Sequence, residues 1–265
     1  MHSKSPLLVA GTNDTGVVAP HPFEGLPAEF LSRLYTLPDG ESLAGLGGAL
    51  AYFNHFLQWE GPLAEGSSGG WTLSGVTGAA TITQPNTRNG EIAVTADATA
   101  NADPTLALGG AAAPANFIYA VGKRMWCFAR LKIATVASTE LFFGLGTPDT
   151  EPTTTNTFPS DGIFFNKAAA ATNLSLDVRK DGTSTQKTSV LSSVLADATY
   201  TTIGFHVNLR GDIVPFQNGV ALTSSIVAAG SANIPGSGDP MQFMLGFRGA
   251  SQVVTLDWLM LGQEI

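Results

Sequence analysis

From about residue 56 onward, apolar and polar positions alternate in short runs. Over residues 123–133, Met125, Cys127, Ala129, Leu131 and Ile133 share one side, and Trp126, Phe128, Arg130 and Lys132 share the other. A period of two is the pattern of a half-buried strand. Residues 201–210 repeat it: Ile203, Phe205, Val207 and Leu209 point inward, while Gly204, His206, Asn208 and Arg210 point out. Leu174, Leu176 and Val178 alternate with Ser175, Asp177 and Arg179, and Asp181-Gly182 then supplies a type I′ hairpin turn. In the closing run, 252–261, Val254, Leu256, Trp258 and Met260 lie on one face and Val253, Leu259 and Leu261 on the other. Apolar residues on both sides predict a strand buried on both faces.

Further strands are expected at 71–73, 80–83, 91–96, 116–121, 140–144, 162–166, 186–191, 213–217 and 241–246. They are separated by turn signals at Asn89-Gly90, Asp161-Gly162, Asn218-Gly219 and Gly236-Ser237-Gly238. A dozen or more strands without a long amphipathic helix between them predict an all-β chain of two antiparallel sheets. The loops 98–115 and 148–160, rich in Thr, Pro, Ala and other small residues, are expected to be exposed.

Residues 1–55 break the pattern. Pro6, Pro20, Pro22, Pro27 and Pro38 recur among Gly and apolar residues. Short helices are expected at 27–35, with Pro27 in the first turn, and at 42–53, weakened by Gly45, Gly47 and Gly48. The division is therefore an N-terminal arm over 1–55 and a sandwich over 56–265. The arm carries Leu7, Leu8, Val9, Val17, Val18, Phe23, Leu26, Phe30 and Leu31. Its Pro and Gly neighbours prevent a core of its own, so these side chains must be covered by the sandwich or by another subunit. Both readings stand at this point: a leader packed on its own domain, or an arm that reaches a neighbour.

Composition narrows the classes. Thirteen Lys and Arg against 21 Asp and Glu leave a net charge of −8, and only 13% of the chain is charged. That balance argues against a nucleic-acid binder, which needs a basic face. With 44% apolar residues, the chain can build a core and is not disordered. Cys127 is the one cysteine, so no intramolecular disulfide is available. No apolar run approaches the ~20 residues of a membrane span. The four-residue apolar stretch 7–10 is too short for a signal segment, and a soluble protein without its own export signal is expected.

Residues 200–219, read as strand, tight turn, strand and Asn-Gly turn, together with the Asp257-Trp258 closing strand, resemble the concanavalin-like and laminin-G-like jelly rolls. The resemblance implies an antiparallel jelly-roll sandwich over 56–265. A low-charge jelly roll rich in Thr, Ala and Gly, behind a Pro-rich arm, also resembles tailed-phage capsid decoration (cement) proteins. That likeness implies a virion structural protein on the capsid surface, assembled in the host cytoplasm. Its expected partners are the major capsid protein and itself, as a homo-oligomer, commonly a trimer, with no nucleic acid and no membrane. The alternative is a lectin-like or tail-associated receptor-binding module using Trp59, Trp71 or Trp126 as stacking platforms.

Catalytic strings are missing. The paired carboxylates of concanavalin-like glycan hydrolases come from a Glu-x-Asp-x-x-Glu strand, and no such string occurs; Asp257 stands alone, with Leu259 two residues on. Gly66-Ser67-Ser68-Gly69-Gly70 matches Gly-x-Ser-x-Gly but lacks the strand-to-helix context of a nucleophile elbow. Ser184 and Lys187 match Ser-x-x-Lys within a predicted hairpin, where a helix is required. His2, His21, His55 and His206 show no ligand spacing, and His206 reads as a surface histidine. Cys127, on an apolar face, reads as an inert core thiol. Arg210-Gly211-Asp212 is explained by a hairpin turn. No catalytic residue and no cofactor are expected; calcium is compatible with oxygen donors around one loop, Asp149, Glu151 and Asp161.

Overall fold

A computed structural model describes residues 49–54, 56, 59–75, 77–85, 90–109, 117–150, 152–153, 158–187 and 195–264. The strands in these residues are β1 Ala49–Asn54, β2 Gly66–Ser68, β3 Trp71–Gly75, β4 Ala80–Thr83, β5 Ile92–Ala96, β6 Pro104–Leu108, β7 Met125–Ile133 and β8 Glu140–Gly146. They continue with β9 Gly162–Lys167, β10 Ser175–Lys180, β11 Thr183–Lys187, β12 Thr201–Val207, β13 Ile213–Gln217, β14 Val220–Ala221, β15 Gln242–Arg248 and β16 Val253–Glu264. One sheet has the order β14-β13-β12-β7-β16-β5-β4, with β1 also on β16; the other runs β11-β10-β9-β8-β15-β6-β3-β2. The pairings of β12 with β7 and of β15 with β8 are antiparallel, like their neighbours. The expected two-sheet sandwich is therefore present.

Alternation in β7, and in β12 as far as Val207, works as read from the sequence; Leu209, expected to point inward, lies in the turn beyond β12 and is 48% exposed. Cys127, Ala129, Leu131, Ile203, Phe205 and Val207 enter one core with Leu141, Phe143, Leu145, Phe243 and Leu245 of the facing sheet. Burying a side chain such as Phe205 stabilises the fold by roughly 1.5–3 kcal/mol. Two hairpin turns need left-handed backbone at successive residues, and the sequence supplies it: Asp181 (φ 50°) with Gly182 (φ 74°), and Asn218 (φ 48°) with Gly219 (φ 81°).

The structure departs from expectation in several places. The register of β16 against β7 shifts between Leu256 and Trp258, a bulge that adds one residue and inverts the alternation. Val254 and Leu256 point into the core before it, and Leu259 and Leu261 after it. Trp258 and Met260, read as sharing a face with Val254 and Leu256, instead lie on the outer face, still buried. The bulge also divides the edge of β16, which pairs with β5 over Val253–Leu256 and with β1 over Leu259–Glu264.

The loop expected at 98–115 contains β6, which lies between β15 and β3. Its Leu106 is fully buried. The helix expected at 42–53 is a strand over Ala49–Asn54. The strand expected at 116–121 reduces to one bridge, Phe117 to Met241. The helix expected at 27–35 lies outside the described residues.

Candidate functional site

Arg130 and Lys132 are two residues apart on β7 and so project from the same, outer face. Tyr200, immediately before β12, projects between them: its ring centroid is 4.4 Å from the Arg130 guanidinium carbon and 4.5 Å from Lys132 Nζ. Each cation has a carboxylate partner. Arg130 Nη1 donates to Asp257 Oδ2 at the β16 bulge, and Lys132 Nζ lies 3.7 Å from Glu91 Oε2 just before β5. Cation–π attraction and two ion pairs thus hold four strands' worth of side chains in one patch. Burial first, and then the neighbouring Glu91 carboxylate, push the Tyr200 hydroxyl far above the usual tyrosine range. Such a patch can recognise a polar or anionic group; with each carboxylate bound to a cation, it does not present two acids facing each other across a cleft.

Beside this patch, the Trp126 and His206 rings stack within 4° of parallel at 5.6 Å. Both are largely covered, at 5% and 9% exposure, so His206 is not the surface histidine expected. Phe128 packs against Phe216 at 5.6 Å, over Gly204. The outer face of the other sheet is closed differently. Phe142, Phe164, Met244 and Ala107 form a second apolar cluster there, with Phe158 against it. Pro152 and Pro159 come down on glycines of the sheet: a β-carbon at Gly246 would lie 2.8 Å from Pro152, and one at Gly146 3.0 Å from Pro159. Thr105 Oγ1 donates to the Thr150 carbonyl at 3.0 Å. The described part of 148–160, expected to be an exposed loop, is thus partly a strap, with Pro152, Thr153 and Pro159 buried.

Of the tryptophans considered for stacking, Trp71 lies in the core at 2% exposure. Trp59 is half-buried, 5.4 Å from Trp71 and 5.8 Å from Phe56, with Nε1 donating to the Pro62 carbonyl at 3.0 Å. Trp59 is the one of the three that is not buried. The arm residues Leu7, Leu8, Val9, Val17, Val18, Phe23, Leu26, Phe30 and Leu31, with His2, His21 and His55, lie outside the described residues. Cys127 is buried, and burial pushes its thiol well up.

Among the described residues no group of three or more His, Cys, Asp or Glu converges to hold a metal ion. Around the loop considered for calcium, Asp161 accepts from Ser160 Oγ at 2.7 Å and from the Asp181 N–H at 3.0 Å, and Glu151 lies outside the described residues. In the Arg210-Gly211-Asp212 turn, Asn208 Oδ1 accepts from the Arg210 and Asp212 N–H groups at 2.9 and 3.0 Å. Sequence reading missed the Arg130–Asp257 pair, whose partners are 127 positions apart. It also missed Lys167, a buried lysine whose Nζ donates to the Thr139 and Ala168 carbonyls; burial lowers it to about 8.

No protein-family model matches the chain, and no curated protein matches it. Solved structures do. A protein of unknown function from Shewanella oneidensis MR-1 superposes with a TM-score of 0.53 at 13% identity, covering 91% of this chain and 95% of its own. The apo Crh5 transglycosylase superposes with a TM-score of 0.50 at 12% identity, covering 80% and 83%. The potassium-bound carbohydrate recognition domain of Emp46p reaches 0.48 at 15% identity, covering 72% and 88%. At these identities the first two likenesses show the fold alone, a two-sheet antiparallel jelly-roll sandwich, and fold alone does not assign function.

Proposed function

We propose that this chain is a non-enzymatic structural protein that docks on the outer surface of a protein shell, as a capsid decoration protein whose partners are the major capsid protein and further copies of itself. The observation that carries the reading is the closure of both broad faces. One is filled by Trp126 on His206, Phe128 on Phe216, and the ion-paired Tyr200 patch. The other is filled by Phe142, Phe164 and Met244 beneath the strap. A polysaccharide-cleaving jelly roll needs an open face with two free carboxylates; here the faces are packed, leaving edges and turns for contact. Bound protein would add buried area across subunit boundaries and stabilise the assembled shell by mass action.

The test is co-sedimentation of the purified chain with shells that lack it, followed by the heat resistance of those shells. Saturable binding and a raised shell melting temperature are expected. Shells that bind nothing and melt unchanged at saturating protein would refute the reading.

A second reading, a carbohydrate-binding or tail-associated receptor-binding module, is favoured by one feature: the half-buried Trp59 ring beside the exposed glycine-rich turn at 66–70. A saccharide hit on a glycan array that Trp59→Ala weakens would replace the shell reading with this one. Turnover of a polysaccharide by purified protein would overturn both.

A further inference from the structure

Two exposed patches on this sandwich both carry apolar side chains and bear charges of opposite sign. The first is built from two turns that hold one another, 118–123 and 208–212. Gly122 N–H donates to the Leu209 carbonyl at 3.0 Å, and Tyr119 Oη donates to the Gly211 carbonyl at 2.9 Å. Val121 and Leu209 stand out from these turns at 65% and 48% exposure, with Ile118 beside them. Lys123 is exposed at the rim. Arg210, its side chain 84% exposed, engages the largely covered Asp212 through Nε at 3.2 Å.

The first patch thus lies at the strand ends where β12 turns into β13 and the chain enters β7, and the second lies along the β4 edge of the same sheet. Residues 60–65 run beside β4, anchored by the Ile82 N–H to the Leu63 carbonyl at 2.9 Å and by the Ala64–Thr81 bridge. Leu63 is 64% exposed and sits between exposed Glu60 and Glu65. The first patch is aliphatic with cations, and the second aliphatic with anions. On a chain of net charge −8, which disfavours most contacts between copies, this pairing brings opposite signs together.

We infer that the two patches are the halves of one head-to-tail contact between copies of this chain. Val121 and Leu209 of one copy cover Leu63 of the next, and Lys123 and Arg210 face its Glu60 and Glu65. The halves are different surfaces, one at the strand-end turns beside β12, β13 and β7 and the other along the β4 edge, so the contact is heterologous: it closes into a ring if the rotation permits and otherwise extends. Few side chains take part, so the contact is weak for each pair and sensitive to salt. It is independent of what, if anything, the assembled protein docks on.

Sedimentation velocity on the full chain, from about 1 µM to about 0.5 mM at low salt, tests it. Mass should rise with concentration and fall at high salt. Leu209→Glu and Leu63→Lys should each weaken association at least about tenfold, while far-ultraviolet circular dichroism and melting stay as in the parent chain. A Lys123→Glu/Arg210→Glu chain and a Glu60→Lys/Glu65→Lys chain should each fail to self-associate and should associate when mixed. Because Glu65 also accepts the Ala80 N–H at 3.1 Å, the Leu63 and Leu209 variants decide the matter should the Glu65 variant unfold. A monomer at every concentration, or association unchanged by both leucine substitutions, would overturn the inference.

Discussion

Gly204→Ala changes one hydrogen to a methyl in the middle of β12. Gly204 is paired with Phe128 on one side and Phe216 on the other. A β-carbon there would overlap Cδ1 of Phe128 and the carbonyl oxygen of Cys127. The ring can rotate away only by giving up its packing on Phe216, and the carbonyl belongs to the neighbouring strand and cannot rotate at all. In an open strand the same change would stabilise by about 0.5–1 kcal/mol. Overpacking costs about 1–3 kcal/mol, so a net loss of about 1–2 kcal/mol is expected. For a chain of this size that lowers Tm by about 2–8 °C, read by calorimetry. Phe128→Ala supplies the second arm of a double-mutant cycle: with the ring gone, Gly204→Ala should cost at least about 0.5 kcal/mol less. A neutral or stabilising Gly204→Ala, equal in both backgrounds, would refute the claim that Phe128 closes this face over Gly204.

Cys127 should stay unreactive toward a thiol reagent in the native protein and react at once in denaturant, because burial raises its thiol and blocks access. The Tyr200 hydroxyl is raised in the folded chain, mainly by burial. Its contribution to stability is therefore complete below the unfolded tyrosine value near pH 10 and is lost as pH climbs beyond it. Melting followed from pH 7 to about pH 12 should fall at the alkaline end, less steeply in Tyr200→Phe. Asp257→Asn removes the partner of an arginine that still reaches water, so urea unfolding should show a loss of about 1 kcal/mol; a loss above about 3 kcal/mol would mean that Arg130 is sealed from solvent.

Strand identity was legible where one face is apolar and the other is not. In β7, Arg130 and Lys132 mark the outer face unmistakably, and in the β10–β11 hairpin Asp181-Gly182 fixes the turn. It was illegible in β6, where Pro104, Thr105 and Ala107 between Gly- and Ala-rich flanks look like loop; only burial from both sides makes this segment a strand. The β16 bulge was hidden because residues on both of its faces are apolar, so a one-residue phase change leaves the hydrophobic pattern intact. The Tyr200 patch was hidden for a different reason. Its members come from positions 91 to 257, and only the neighbouring of β12, β7, β16 and β5 in one sheet brings them together. The folded-back strap at Pro152 and Pro159 likewise depends on glycines at 146 and 246 that the sequence does not tie to it.

The closure of the broad face that carries β7 and β16 is read directly by acrylamide quenching of tryptophan fluorescence. Trp71, Trp126 and Trp258 are buried and Trp59 is not fully so. A small quenchable fraction is expected, and Trp59→Phe should remove it while the remaining emission stays blue-shifted and unquenched. Strong quenching that survives Trp59→Phe would place Trp126 or Trp258 in open water and contradict the closure of that face.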